Sequence, residues 1–566
     1  MKKVVLLCLV SWMIACQSEK KEHVSGLIAE SAMVVSAHPL ASQVGVDIMK
    51  KGGNAVDAAV AVQLALTVVF PAAGNIGGGG FMVLRMADGA TNTLDFREKA
   101  PALATTDMYL DKDGNVIEGL STAGHLASGV PGSVDGMIEA HKKYGLLSWQ
   151  EVIQPAIDLA LNGFPLTERE AANFNGLHDP LIKYNTIKPD FLLKTWTTGD
   201  SIKWTDLGHT LERIRDQGRA GFYEGKTADD LLAEMKRGKG LITAEDLKNY
   251  KSVWKAPVVA TYKSYKIITM PPPSSGGICL IQLLKSIEPY PVHHWGHNRA
   301  ETVHLMTEAE RWVYADRSKY FGDPDFFKMP SKELLDSNYI VSRMGFYQEG
   351  KAANSQEVLP GKIAGYESVE TTHISIVDPQ GNAVSVTTTL NEWFGNKVVV
   401  PGSGFFLNDE MDDFSSKHGV PNMYGLIGGE GNKIEPGKRM LSAMTPTIIE
   451  RDHKLFMVLG SPGGARIITA VFQVFLNVVE HDMGMQEAVD ARRLHSQWLP
   501  DAIFPEPGSL SANDSVALAK MGHLIQPLKV LNTRGVGRVD AILILKDGKL
   551  EGGADHSRGD NTAKGY

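Results

Sequence analysis

The chain has 566 residues, 43% hydrophobic and 22% charged, enough for two or more domains or one large layered domain with an ample core. Its formal net charge of -8 and the lack of a basic block argue against a nucleic-acid surface. Of three cysteines, Cys8 and Cys16 lie near the N-terminus, which leaves no second cysteine to form a disulfide with Cys279, so no intramolecular disulfide is expected; no Cys/His cluster has metal-ligand spacing, and neither a metal nor another cofactor is implied.

In chain order, Lys2-Lys3 followed by the apolar Val4–Ala15 reads as a basic n-region and an h-region too short to span a bilayer as a mature helix. Met13-Ile14-Ala15-Cys16 resembles a bacterial lipoprotein cleavage box, with Met where Leu is usual. It predicts removal of residues 1–15, lipidation of Cys16 and a polar tether over residues 16–29. Ordinary secretion with a chance cysteine is the alternative. Gln17 favours sorting to the outer membrane of a Gram-negative cell, so an outer-membrane lipoprotein or periplasmic protein is expected, touching the membrane only through its lipid.

Ala32–Ala37 reads as a strand, and Leu40–Met49 and Asn54–Phe70 as helices split by Gly52-Gly53. Ala58–Phe70 is too short to cross a bilayer and predicts a buried helix. Gly77–Gly80 precede a strand, Phe81–Arg85. Four glycines allow close backbone approach, but without the Lys-Ser/Thr of a P-loop they signal phosphate only weakly. Residues 145–250 read as mostly helical, with amphipathic stretches near 148–162 and 205–236. Tyr262–Met270 is a predicted strand ended by Pro271–Gly277; helices are expected from Ile278 to Ile287, over 298–317 and over 331–345, then an exposed polar linker over 346–370.

Two β-branched alternating runs, Thr371–Val377 and Asn382–Leu390, flank Asp378-Pro379-Gln380-Gly381. Asp first, Pro second and Gly fourth suit a type I turn whose Gly takes the left-handed position of a three-residue hairpin loop. Val377 then faces Ala383 and Thr371 faces Thr389, with Asn391 further along the same face. A hydroxyl at a strand start thus meets a second hydroxyl and an amide, a plausible setting for a threonine nucleophile. Further strands are expected at Val398–Val400, Phe405–Leu407 and Leu455–Leu459, with a strand pair within Val536–Leu545. Mixed strands and helices without repeats give an α/β or α+β layered fold, with the layer order open.

Seven ordered motifs together resemble the γ-glutamyltranspeptidase family: Gly74–Met82, Asp95–Glu98, Pro271–Gly277, Thr371-Thr372-His373, Asn408–Phe414, Pro436–Arg439 and Gly460–Gly464. The resemblance covers nearly the whole mature chain. It implies an α+β, four-layer αββα sandwich of the N-terminal nucleophile hydrolase type, made by autocleavage of one precursor. The implied cut lies between Glu370 and Thr371, leaving a large subunit (30–370) and a small catalytic one (371–566) as a heterodimer. Thr371 would carry a free α-amine, with a pKa of about 8 when unperturbed, as its own general base.

The same resemblance implies site roles. Thr371 is the nucleophile, Thr389 polarises its hydroxyl, and Asn391 holds both Thr371 and the substrate amine. Backbone N–H groups of Gly463 and Gly464, at a helix start, face the oxyanion. Arg97 forks onto the donor α-carboxylate as Lys cannot. Asp413, assisted by Glu410, holds the α-ammonium. Ser442 matches the first of two serines that contact the carboxylate; the second is Ala443, a departure that removes one hydroxyl. Residues 414–438 match a lid with Tyr424 as its gate.

The implied reaction is attack of Thr371 on the γ-amide of glutathione or another γ-glutamyl compound, with transfer to water, an amino acid or a dipeptide. A cephalosporin acylase of the same superfamily has less need for a clamp of both charges, so Arg97 and Asp413 count against it. A poly-γ-glutamate processing relative should lack the lid. A non-catalytic solute-binding lipoprotein gives no reason for Thr371, Thr389 and the glycine pair to occur together.

Overall fold

Two antiparallel seven-stranded sheets lie face to face between two helical layers in the computed structural model, which describes residues 26–359, 371–417, 430–531 and 535–566. One sheet runs edge to edge through Thr562–Gly565, Met33–Ser36, Thr372–Val377, Ala383–Thr389, Gly79–Arg85, Thr91–Asp95 and Val253–Lys255. The other runs through Leu27–Ala29, Leu550–Ala554, Asp540–Ile544, Lys454–Gly460, Thr447–Arg451, Tyr265–Thr269 and Val258–Tyr262. The first sheet packs Val34, Met82, Ile374 and Val386 against the helices Pro39–Lys50 and Ala55–Val69. The second packs against Gly276–Ile287 and Arg466–Val479, and Ala300–Tyr320 packs on Gly276–Ile287. This is the αββα order that sequence patterning alone left open.

The hairpin forms in the expected register, Val377 opposite Ala383 through to Thr372 opposite Thr388. Gly381 has φ 84° and its N–H donates to Asp378 O at 3.0 Å, the turn that the Asp-Pro-Gln-Gly order demands. The Asp378 carboxylate also accepts from Ala55 N at 2.9 Å, tying this turn to the start of Ala55–Val69. That helix carries an Asn54–Asp57 capping box and is buried along its whole length, as its apolar composition predicts. Alternate side chains of the hairpin point to opposite layers. Ile374, Ile376, Val384 and Val386 face the helices; Ser375 and Ser385 face the other sheet, donating to Asp540 O at 3.0 Å and Leu459 O at 3.1 Å. A polar seam therefore runs between the sheets below Thr371 and Thr389.

Several expectations are corrected. Val398–Val400 and Phe405–Leu407 are not strands but share one bridge, Val399 to Phe406. The range Val536–Leu545 holds one strand and not a pair, Asp540–Ile544, and its partner is Leu550–Ala554 beyond that range. The helical stretches near 205–236 and 331–345 are broken, the first around Gly218 and Gly225 with φ near 60°, the second at Leu335–Asp336. The described part of the 346–370 segment is irregular and mostly exposed, as expected, but it is tied down at points: Ser355 and Val358 are buried and Ala352 N donates to Met521 O. Periodicity misses these anchor points because a polar residue such as Ser355 is buried only when a distant element supplies its partners.

Candidate active site

The strand Thr372–Val377 starts at the mouth of the seam, and Thr371 immediately before it is buried. Continuing the register sets Thr371 opposite Thr389. Thr371 Oγ1 has no hydrogen-bond partner among the described residues. Thr389 Oγ1 accepts from Asn391 N at 2.7 Å. Asn391 sits at φ 72°, a left-handed corner that asparagine tolerates better than most residues, and its Nδ2 donates to Asp409 O at 3.0 Å. Its Oδ1 is buried without a partner. An unpaired hydroxyl and an unpaired amide oxygen at one buried strand end mark a place built to receive something polar. His373 cannot serve as base there: burial pushes its imidazole down to about 3, and its ring bonds to Thr387 Oγ1 at 2.9 Å and Ser375 Oγ at 3.1 Å.

The four-glycine run has a steric purpose. A Cβ on Gly78 would lie 1.9 Å from Thr389 O, so only glycine lets this loop lie against the Thr389 corner. Asn75 completes the tie, donating to Thr389 O at 2.7 Å and accepting from Gly78 N at 3.0 Å. The glycines therefore shape this corner by close packing.

Asp95 ends the strand Thr91–Asp95, and the chain turns there, Arg97 N donating to Asp95 Oδ1 at 3.0 Å. Arg97 is 1% exposed. Its fork pairs with Glu410 through Nη1 and with Asp413 through Nη2, while Nε and Nη2 also donate to Met440 O at 3.3 Å and Leu441 O at 3.1 Å. Glu98 Oε2 lies 3.5 Å from Nη1. Three carboxyl groups thus share one guanidinium away from water. Burial pushes the Glu98 carboxyl up to about 7 against the pull of Arg97. Glu410 is raised as well, by burial and then by the neighbouring Glu98. The cluster has one fixed cation and a surplus of carboxyls, which suits a ligand bringing both a carboxylate and an ammonium.

The turn Glu410–Asp413 is held by side chains that sequence reading missed. Asn408 accepts from Glu410 N and Gly129 N and donates to Gly77 O and Gly129 O, joining two of the distant motifs. Asn432 donates to Asp413 O at 2.6 Å and accepts from Leu441 N at 3.1 Å. Asp409 links the Asn391 corner to the same turn and accepts from Glu392 N. Asn408, Asp409 and Glu98 lay inside the quoted motifs, but only the fold gives them partners.

Ser442 follows Leu441 next to Arg97. Ser442 N donates to Pro273 O at 3.0 Å, its carbonyl accepts from Ser275 N at 2.7 Å, and its Oγ accepts from Met444 N. Ala443 beside it is buried. Gly463 and Gly464 lie between the strand Lys454–Gly460 and the helix Arg466–Val479, at φ 133° and 64°. Their carbonyls accept from Arg466 N and Ile467 N, while neither glycine N–H donates to any hydrogen bond among the described residues. Gly460 lies against the His373 ring, where a Cβ would sit 2.2 Å from it, so this turn is beside the start of the Thr372–Val377 strand. The segment 414–438 closes at its base, Ser415 N donating to Asn432 O. Tyr424, the Glu370 side of the expected cut and Cys16 lie outside the described residues.

The structure therefore gathers Arg97, Glu410, Asp413 and Ser442 in one cluster, connects it through Asp409 to Asn391 and Thr389, and sets the Gly463-Gly464 turn beside the same strand end. The family model described as Gamma-glutamyltranspeptidase matches residues 41–566. A glutathione hydrolase proenzyme of Pseudomonas sp. (strain A14) is 46% identical over 95% of each chain. The Escherichia coli (strain K12) glutathione hydrolase proenzyme is 44% identical, over 95% of this chain and 92% of its own. The crystal structure of a cephalosporin acylase from Bacillus halodurans superposes with a TM-score of 0.84 at 26% identity, over 98% of this chain and 99% of that one.

Proposed function

The chain belongs to the γ-glutamyltranspeptidase family, and from that premise we propose that it is a γ-glutamyltransferase and glutathione hydrolase, made as a proenzyme, in which Thr371 is the nucleophile. The observation that carries this reading is the buried Arg97 fork among Glu98, Glu410 and Asp413, beside a strand end where Thr371 Oγ1 is unpaired. An acyl group bearing both an α-carboxylate and an α-ammonium matches that set; an acyl group with neither leaves buried charge uncompensated, which disfavours the acylase alternative.

Thr371 Oγ1 first attacks the carbonyl of Glu370, and hydrolysis of the resulting ester frees the Thr371 amine. The large and small subunits, 30–370 and 371–566, remain together as a heterodimer. In turnover that amine takes the Oγ1 proton as the oxygen attacks the γ-glutamyl carbonyl, with Thr389 orienting the hydroxyl. The N–H groups of Gly463 and Gly464 stabilise the oxyanion, and the amine returns the proton to the leaving nitrogen. Water, an amino acid or a dipeptide then takes the γ-glutamyl group from the ester. Arg97 and Ser442 hold the α-carboxylate; Asp413, Glu410 and Asn391 hold the α-ammonium; Tyr424 gates the pocket. No step calls for a cofactor.

The decisive experiment is mass spectrometry with N-terminal sequencing of the purified protein and of Thr371→Ala. The wild type should give a fragment beginning Thr371-Thr372-His373 and release product from γ-glutamyl-p-nitroanilide; the variant should do neither. Hydrolysis retained by the variant would overturn the mechanism. The basic and apolar start ending in Ala15-Cys16 supports export as a lipoprotein of the outer membrane or periplasm. A large subunit starting at an unmodified residue other than Cys16 would refute the anchor.

A further inference from the structure

On the outer helical layer, a second group of ligating side chains lies outside the machinery above. His304 and Glu308 sit one turn apart on Ala300–Tyr320, so both point to one face. His523 follows the helix Ala512–Met521, fixed by the left-handed Gly522 at φ 105° and by its own N–H on Leu518 O. All three are buried, and their ligating atoms lie within 4.8 Å of one another. Sequence spacing hid the cluster because the third member is contributed by a distant helix end.

His304 and Glu308 each have an outer contact that orients them. His304 Nε2 lies 2.9 Å from Gln348 O; a carbonyl only accepts, so the hydrogen is on Nε2 and the Nδ1 lone pair faces the cluster. An imidazole that binds metal is usually held this way. The Glu308 carboxylate accepts from Ala353 N at 3.2 Å and Arg311 Nη2 at 3.3 Å. Arg311 in turn pairs with Asp501, so its charge is already balanced. His304 Nδ1 and His523 Nε2 are 2.8 Å apart, and His523 Nε2 is 4.0 Å from Glu308 Oε1. Tetrahedral zinc with bonds of about 2.0–2.1 Å places its ligand atoms roughly 3.3 Å apart. The first distance must open, and the second close, by well under an ångström each.

We propose that His304, Glu308 and His523 form a structural site for a zinc-type divalent ion, with water as fourth ligand. Two imidazoles and a carboxylate are a donor set for zinc rather than for magnesium or calcium. In the metal-free state His523 gives its Nε2 hydrogen to His304 Nδ1. On loading, His523 takes the other tautomer, with hydrogen on Nδ1, and Glu308 binds as the carboxylate. His304 and Glu308 precede Thr371 and His523 follows it, so the ion would also clip the two subunits together; that consequence, unlike the site, rests on the cut proposed above.

The test is metal analysis of the full-length chain purified without chelator, followed by zinc titration of the chelator-stripped protein by calorimetry. One zinc per chain is expected, absent from His523→Ala and Glu308→Gln, with a thermal midpoint that falls on stripping and recovers with zinc. A wild-type chain that neither carries nor takes up zinc would overturn the proposal and leave a hydrogen-bonded histidine pair. So would undiminished stoichiometry in both variants; should they fail to fold, the wild-type titration decides alone. Uncut Thr371→Ala should bind zinc as the wild type does, which separates failure of the cut from failure of the site.

Discussion

Replacing Arg97 by Lys tests the recognition of the donor most directly. Arg97 uses Nη1 and Nη2 in parallel, now on Glu410 and Asp413, and those two nitrogens are what an incoming α-carboxylate would engage. A lysine ammonium keeps the charge but reaches the carboxylate through one point. One charge-assisted hydrogen bond, worth about 1.5–3 kcal/mol, is lost. That is a drop of about 10- to 160-fold in kcat/KM, carried mainly by KM because the contact is made before and during the chemistry alike. The assay is initial-rate release from γ-glutamyl-p-nitroanilide, repeated with the 4-aminobutyryl analogue, which lacks the α-carboxylate. The analogue should react slowly with both proteins and show little difference between them. Equal penalties for the two substrates would refute the assignment, since the lysine would then be damaging the pocket rather than losing a contact.

Glu98→Gln should change the pH response of stability. The folded carboxyl, at about 7 against 4.5 in the unfolded chain, holds its proton across that window, so its contribution is full below pH 4.5 and is lost as pH rises through 7. About 3 kcal/mol is at stake, and denaturant midpoints between pH 5 and 8 should fall less steeply in the variant than in the wild type. Gly463→Ala puts a Cβ 3.0 Å from Gly537 Cα at φ 133°, and the displaced N–H should lower kcat by roughly 10²–10³ with little change in KM; unchanged kcat would remove Gly463 from the oxyanion site. Ala443→Ser restores a hydroxyl beside Ser442 and should lower donor KM about fivefold, for a net hydrogen bond of about 1 kcal/mol. A raised KM would mean that the alanine fits its buried position for packing reasons.

What the sequence determined here is local. Asp378-Pro379-Gln380-Gly381 fixes a turn, the turn fixes the hairpin register, and register alone sets Thr371 opposite Thr389. Apolar composition with an Asn54–Asp57 box suffices for a buried capped helix. Ordered motifs suffice for the family and so for the layer architecture. Tertiary structure decided everything that depends on which distant groups meet. Nothing along the chain shows that Arg97 and Glu98 are buried together until the turn at Glu410–Asp413 closes on them. Gly78 looked like part of a weak phosphate loop until Thr389 O was found against it. The exposed stretch over 346–359 gave no sign along the chain of the anchors that Asp501, Met521 and Trp498 supply at Ala352 and Ser355. His304, Glu308 and His523 have no common spacing at all. The physical reason is the same in each case. Turn chemistry and periodicity act over a few residues and are written along the chain, whereas a buried charge or polar atom is satisfied only by whatever the fold brings within about 3 Å of it.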